Sequence, residues 1–188
     1  MRVASQLERR TRFIFLEFTH NSMASTCTRC QTTGGKAHSF ERIGCLTDGK
    51  TNVFYTAPAN AMEEDDSPEA VTYYLAHFEE TRPNTWIWVF NCKGMKTRDL
   101  IKSGIGRKLA EVVQQTYFDT LLGIYIVNPS WAMKALIAFL KPFLRKETYQ
   151  RIHVCSLGLI DTVNTLERVG LPRTDMVTLT KKLTDALA

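Results

Sequence analysis

Apolar positions change their period several times along this chain, and the changes mark its elements. "SFERIGC", then Asp48-Gly49, then "TNVFYTA" reads as two strands around a tight turn, because Asp-Gly readily takes positive φ. Ser67-Pro68-Glu69 is a helix start: serine caps, proline fits the first turn and glutamate meets the positive helix end. Val71, Tyr74, Leu75 and Phe78 follow at helical spacing until Arg82-Pro83-Asn84 stops them. "TWIWVFN" (85–91) is a continuous apolar run of strand length, as expected for a strand covered on both faces. A helix carrying Leu109, Val112, Val113 and Tyr117 leads to a second such strand, "LGIYIV" (122–127). After a strongly apolar helix come a short strand, "RIHVC", and a helix with Leu157, Ile160, Val163 and Leu166. Gly170-Leu171-Pro172 ends that helix, and a short amphipathic tail closes the chain.

Strand alternating with helix implies parallel pairing through crossover connections, so the fold class is α/β. The regular pattern starts at residue 38, so residues 1–37 are expected to form a poorly specified arm and 38–188 the domain. Its 188 residues bury enough surface for a core that needs neither metal nor disulfide.

The helix after "LGIYIV" departs from a normal crossover helix. In "NPSWAMKALIAFLKPFLRK" Lys134 and Lys141, seven apart, share one edge. Trp131, Met133, Leu136, Ile137, Phe139, Leu140, Phe143 and Leu144 cover most of the remaining circumference. A crossover helix normally buries one stripe and leaves the other face polar. Pro142 removes a backbone hydrogen bond near its end, a natural place for a kink. The segment is too short and too interrupted to span a bilayer, which takes about 20 apolar residues.

Charge and chemistry narrow the function mostly by exclusion. A net charge of +5 permits anionic partners such as phospholipid surfaces. No basic block interleaved with aromatics points to nucleic acid. The acidic run Glu63-Glu64-Asp65-Asp66 reads as a solvated loop. Gly104-Ile105-Gly106 lacks the third glycine and the strand context of a dinucleotide fingerprint. Thr32-Thr33-Gly34-Gly35-Lys36 lacks the first glycine of a phosphate loop. There is no Gly-x-Ser-x-Gly elbow or His-Glu-x-x-His pair, and His153-Val154-Cys155 falls on a strand expected to be buried. A non-enzymatic protein without cofactor is therefore expected. Five cysteines, an odd number without regular spacing, fit a reducing, cytoplasmic setting. Cys27 and Cys30, with His38 and Cys45 following, could count as four zinc ligands. The spacing is not that of a standard finger, and incidental cysteines with no metal are the expected reading.

The order of pieces from Tyr117 to Pro172 resembles the CRAL-TRIO lipid-binding domain family, which includes the phosphatidylinositol transfer proteins. "YFDTLLGIYIVNPSWAMKALIAFLKPFLRKETYQRIHV" is similar to that family's Tyr, Leu, apolar strand, Asn/His-Pro, helix, Lys-Pro-Phe series. "VGLP" resembles the Leu/Ile-Pro segment after the next helix, and Asp48-Gly49-Lys50 stands at the family's Asp-x-x-Gly-Arg turn. The resemblance covers roughly residues 40 to 185 and is closest to the divergent branch of BCH-type and ganglioside-induced differentiation-associated proteins.

The resemblance implies a mixed, mostly parallel sheet flooring an apolar pocket, closed by a gate helix after Asn128-Pro129. Pocket and gate would be lined by Trp86, Trp88, Phe90, Ile124, Ile126, Trp131, Leu136, Phe139, Leu140 and Phe143. Thr148 and Arg151 match the family's head-group hydroxyl and cation, and Asp119 matches an acidic position of its Tyr-Pro-Glu-Arg segment. Phe118 and Thr120 replace the proline and arginine of that segment, and one residue is missing between Asn128 and Pro129. The implied function is binding or transfer of a phospholipid, phosphoinositide or other small lipid, with transient, peripheral contact to a membrane surface. The alternative is a BCH-type protein-interaction module with a reduced pocket and a small GTPase or another protein as partner.

Overall fold

The computed structural model describes residues 27–32, 39–60, 70–95, 103–156 and 158–185. Five strands form one sheet in the order β1-β2-β3-β4-β5: β1 Glu41–Cys45, β2 Asn52–Thr56, β3 Trp86–Asn91, β4 Leu121–Val127 and β5 Ile152–Cys155. β1 and β2 pair antiparallel, while β2, β3, β4 and β5 run parallel. The α/β class, with a mixed and mostly parallel sheet, is therefore the observed one. The helices are α1 Thr28–Thr32, α2 Ala70–Glu79, α3 Ser103–Val112, α4 Trp131–Leu140, α5 Lys146–Gln150, α6 Leu159–Val169 and α7 Arg173–Asp185. A π-helical turn, Val113–Tyr117, closes α3.

The β1–β2 turn forms as expected. Gly49 takes φ +66°, and the Asp48 carboxylate accepts from the Lys50 and Thr51 amides at 2.8 and 2.9 Å. The Thr51 hydroxyl donates to its other oxygen at 2.6 Å. These hydrogen bonds hold the Asp48 carboxyl below its usual value of 3.8, the Thr51 hydroxyl contributing most.

β3 divides the interior in two, because successive strand side chains point to opposite faces. Ile87 and Val89 join Val53, Tyr55, Tyr125 and Val127 in a core completed by Leu166 of α6 and Met176, Leu179 and Leu183 of α7. Trp86 and Trp88 face the other way, into an aromatic cluster with Phe40, Phe54, Phe78 of α2 and Tyr117. Phe78 stands 5.9 Å from Trp86, 5.3 Å from Trp88 and 5.5 Å from Tyr117, ring centre to ring centre. The indole N–H of Trp88 donates to Thr56 Oγ1 at 2.8 Å, so its polar end is satisfied within the core.

Two expectations require adjustment. β5 is an edge strand that pairs with β4, so His153 and Val154 are exposed rather than buried; the His153 ring stacks on Tyr125 at 4.9 Å. Within the segment expected to be a loose arm, α1 packs Cys27 and Cys30 against Tyr73 and Ala76 of α2. The helix start at 67–69 lies outside the described residues. Gly170, at φ +100°, ends α6 by donating its N–H to Leu166 and Glu167.

Trp86 is fully buried, so Trp86→Ala is expected to cost about 3–5 kcal/mol in urea unfolding through the cavity it leaves. Asp48 yields a pH signature. A carboxyl lowered on folding stabilises above its unfolded value and loses that contribution as pH falls through its folded value. Replacing it in Asp48→Asn should flatten the decline in stability below about pH 4; an unchanged acid limb in thermal melts would refute that role.

Candidate functional site

The turn between β4 and α4 rests on a buried polar chain. Asn91, the last residue of β3, donates from Nδ2 to the Tyr55 hydroxyl at 2.8 Å. Its Oδ1 accepts from Asn128 Nδ2 at 2.9 Å and from the Lys93 amide at 3.1 Å. Asn128 adopts φ +52°, a left-handed conformation that asparagine tolerates better than most residues. Pro129 follows, and the Ser130 side chain then caps α4 by accepting from the Met133 amide at 3.2 Å. The Asn-Pro-Ser break thus aims α4 across the sheet from the carboxyl ends of β3 and β4.

α4 touches the sheet through one narrow stripe. Ala132 and Met133 are buried against Ile126 and Cys92, with Leu136 and Ile137 partly buried beside Phe90, Ile124 and Ile152. The rest of its apolar surface is uncovered: Trp131 is 75% exposed and Phe139 55%. Leu140 is half-buried. Pro142 lies in a 3-10 turn, Lys141–Phe143, where the chain leaves the helix. Phe143 contacts Phe139 at 5.7 Å and sits under the Arg107 guanidinium at 4.5 Å. Gln114, buried in the π-helical turn, clamps this exit. Its amide donates to the Phe143 carbonyl at 3.1 Å, and its carbonyl accepts from the Arg145 N–H at 3.0 Å.

The ten residues expected to line pocket and gate therefore separate into groups. Trp86 and Trp88 belong to the aromatic cluster under α2. Phe90, Ile124, Ile126 and Leu136 meet at the sheet–α4 contact. Trp131, Phe139 and Phe143 face outward, and Leu140 is half-buried. Sequence reasoning missed Gln114, Asn91 and the central place of Met133. The helical spacing of Met133, Leu136, Ile137 and Leu140 was the available signal for the contact stripe. On the opposite face of the sheet, α6 and α7 border an open groove of about 580 Å3 lined by Val163, Met176, Val177 and Thr180 among others.

The residues matched to head-group binding lie around α5. Thr148 is buried, and its hydroxyl has no hydrogen-bond partner among the described residues. Arg151, directly after α5, donates from Nη1 to the carbonyls of Phe118 and Leu121, and its guanidinium stacks on the Phe118 ring at 3.6 Å. It thereby ties the start of β5 to the start of β4, where Ile124 N–H also donates to the Arg151 carbonyl at 2.8 Å. Asp119 is exposed beside this contact. Of the cysteines weighed as zinc ligands, Cys27 and Cys30 meet His77 of α2, their ligand atoms all within 4.8 Å of one another. Cys45 stands at the end of β1 outside that group, and His38 lies outside the described residues. Burial pushes the Cys92 thiol, beneath α4, up to about 12, which keeps it protonated and inert at neutral pH.

An apolar helix, α4, thus covers one face of the sheet from Cys92 and Ile126 to Ile124 and Ile152. The chain belongs to the CRAL/TRIO domain family, whose model matches residues 51–165. A CRAL-TRIO domain-containing protein of Dictyostelium discoideum is 25% identical over 143 residues, covering 68% of this chain and 54% of that protein. The crystal structure of Sfh5 aligns with a TM-score of 0.49 and 15% identity over 63% of this chain and 47% of that chain. The chain thus spans about half the length of each of these relatives.

The Arg151 contacts carry a structural prediction. Arg151→Ala should lower stability by about 2–3 kcal/mol in urea unfolding, since it removes charge-assisted hydrogen bonds and leaves two carbonyls without their donor. A change below about 0.5 kcal/mol, the usual range for surface substitutions, would show that the contacts contribute nothing.

Proposed function

We propose that this chain is a non-enzymatic lipid-binding or lipid-transfer protein that takes one hydrophobic ligand between α4 and the sheet. The observation that carries this reading is the unequal covering of α4. The helix is held to the sheet by the stripe around Met133, while Trp131 and Phe139 remain in water. A helix that alternates between ligand, sheet and bilayer needs apolar surface on more than one side. Membership of the CRAL/TRIO family supports the same reading. Trp86 and Trp88 already fill their own surroundings with aromatic contacts. The ligand space we infer is bounded instead by Phe90, Ile124, Ile126 and Leu136. Each buried CH2 contributes about 0.8 kcal/mol, so an acyl chain can be held by apolar area alone.

A polar head group would give the buried Thr148 hydroxyl a partner. The guanidinium of Arg151 has five N–H donors, and its Nη1 bonds to Phe118 and Leu121 leave Nε and Nη2 for a phosphate oxygen. A phospholipid or phosphoinositide suits these groups. No helix among the described residues is long and apolar enough to cross a membrane, so the proposed membrane contact is peripheral, through Trp131, Phe139 and Phe143.

The test is native mass spectrometry of the purified chain with analysis of its organic-solvent extract, before and after incubation with mixed phospholipid vesicles. A stoichiometric lipid is expected, and the Phe139→Asp, Leu140→Asp double variant should lose it while keeping a cooperative unfolding transition. A bare protein mass persisting after vesicle incubation refutes lipid binding and leaves the protein-interaction module; retention by the double variant refutes α4 as the gate.

A further inference from the structure

We infer that Cys27, Cys30 and His77 form a zinc-binding site that fastens the N-terminal helix α1 to α2. The three residues come from segments 47 positions apart, and all three are buried. Cys27 precedes α1 and Cys30 lies within it; the i,i+3 spacing puts both thiols on one side of the turn, toward α2. His77, near the end of α2, turns Nε2 to within 3.3 Å of Cys30 Sγ. The three ligand atoms lie within 4.8 Å of one another. Tetrahedral zinc, with Zn–S near 2.3 Å and Zn–N near 2.0–2.1 Å, needs ligand atoms about 3.6–3.8 Å apart. Closing the set onto a metal therefore takes shifts of about 1 Å, inward for the wider separations and slightly outward for the 3.3 Å Cys30–His77 pair.

A second observation points the same way. The Glu80 carboxylate lies 3.5 Å from His77 Nδ1. The contact is longer than a carboxylate–imidazole hydrogen bond; tightened on metal binding, it is the pairing that orients metal-ligating histidines. Two sulfurs and one imidazole form a borderline-soft donor set that suits zinc better than magnesium, calcium or manganese. On binding, each thiol releases its proton to solvent, so two thiolates offset the two positive charges of Zn2+ and the buried centre is neutral. Three protein ligands leave one tetrahedral position for a water or a further donor. Nothing in this site depends on lipid binding; its work is to hold α1 against the back of the aromatic cluster through His77, whose ring lies 5.6 Å from Phe40.

The test is metal analysis of the full chain purified under reducing conditions without chelator. About one zinc per chain is expected, falling to background in Cys27→Ser and in Cys30→Ser. A serine variant that fails to fold also loses metal, so cobalt(II) titration of the unaltered protein supplies an independent readout: a thiolate-to-cobalt charge-transfer band with the intensity of two thiolates. Glu80→Gln should keep the site but weaken zinc about 10–100-fold in chelator competition. Zinc far below one per chain, without a thiolate band on cobalt addition, overturns the proposal. So does full zinc content in the Cys27→Ser, Cys30→Ser double variant, or a chain mass two hydrogens light from a Cys27–Cys30 disulfide.

Discussion

The alternation of β3 is the constraint on which the rest of this molecule depends. A central parallel strand presents its side chains to two separate interiors. Ile87 and Val89 commit one face to the aliphatic core under α6 and α7, and Trp86, Trp88 and Phe90 commit the other to α2, α3 and α4. A one-residue slip of register would exchange the two sets. It would drive indoles into a layer built for valine and leucine, so the sheet and both helical layers are locked together.

The face of the sheet that meets α2, α3 and α4 is not uniform. Toward β2 it is filled by stacked and edge-on aromatic rings, an arrangement that leaves each indole packed, with its N–H bonded to a threonine hydroxyl. Toward β4 and β5 the cover is a single helix resting on Ala132 and Met133. Close packing gives the first region rigidity, and the second holds fewer buried side chains. The fold thus sets a densely aromatic half beside a sparsely covered one, and the apolar helix belongs to the second.

Polar groups define where that helix begins and ends. The Tyr55–Asn91–Asn128 chain fixes its entry, and Gln114 clamps its exit at Phe143 and Arg145. Buried hydrogen bonds are directional and expensive to leave unmade, so they hold the two ends of α4 while the apolar middle is free of directional ties. Burial and the Glu79 carboxylate raise the Tyr117 hydroxyl well above its usual range, so it stays a hydrogen-bond donor and pins the π-helical turn to α2.

Strand and helix periods, the Asp48-Gly49 turn, the Gly170 stop and the unusual apolarity of 131–144 were all legible in the amino-acid order, because they are set by neighbours within a few positions. The motif series from Tyr117 to Pro172 likewise carried the family, since it is a matter of order and spacing. What the order of residues could not show is how side chains far apart in the chain converge. Periodicity placed Trp86, Trp88, Phe90, Ile124 and Ile126 on strands, but only packing separated the two plugged indoles from the three residues under α4. Arg151 matched a head-group cation by its place in the motif series, but the order of residues did not show that its guanidinium meets the carbonyls of Phe118 and Leu121, some 30 residues earlier. Cys27 and Cys30 read as incidental because their third companion, His77, is brought to them by the docking of α1 on α2. Local pattern reports what each residue prefers to face; the tertiary structure decides what it actually meets, because that partner is chosen by how the helices lie on the sheet.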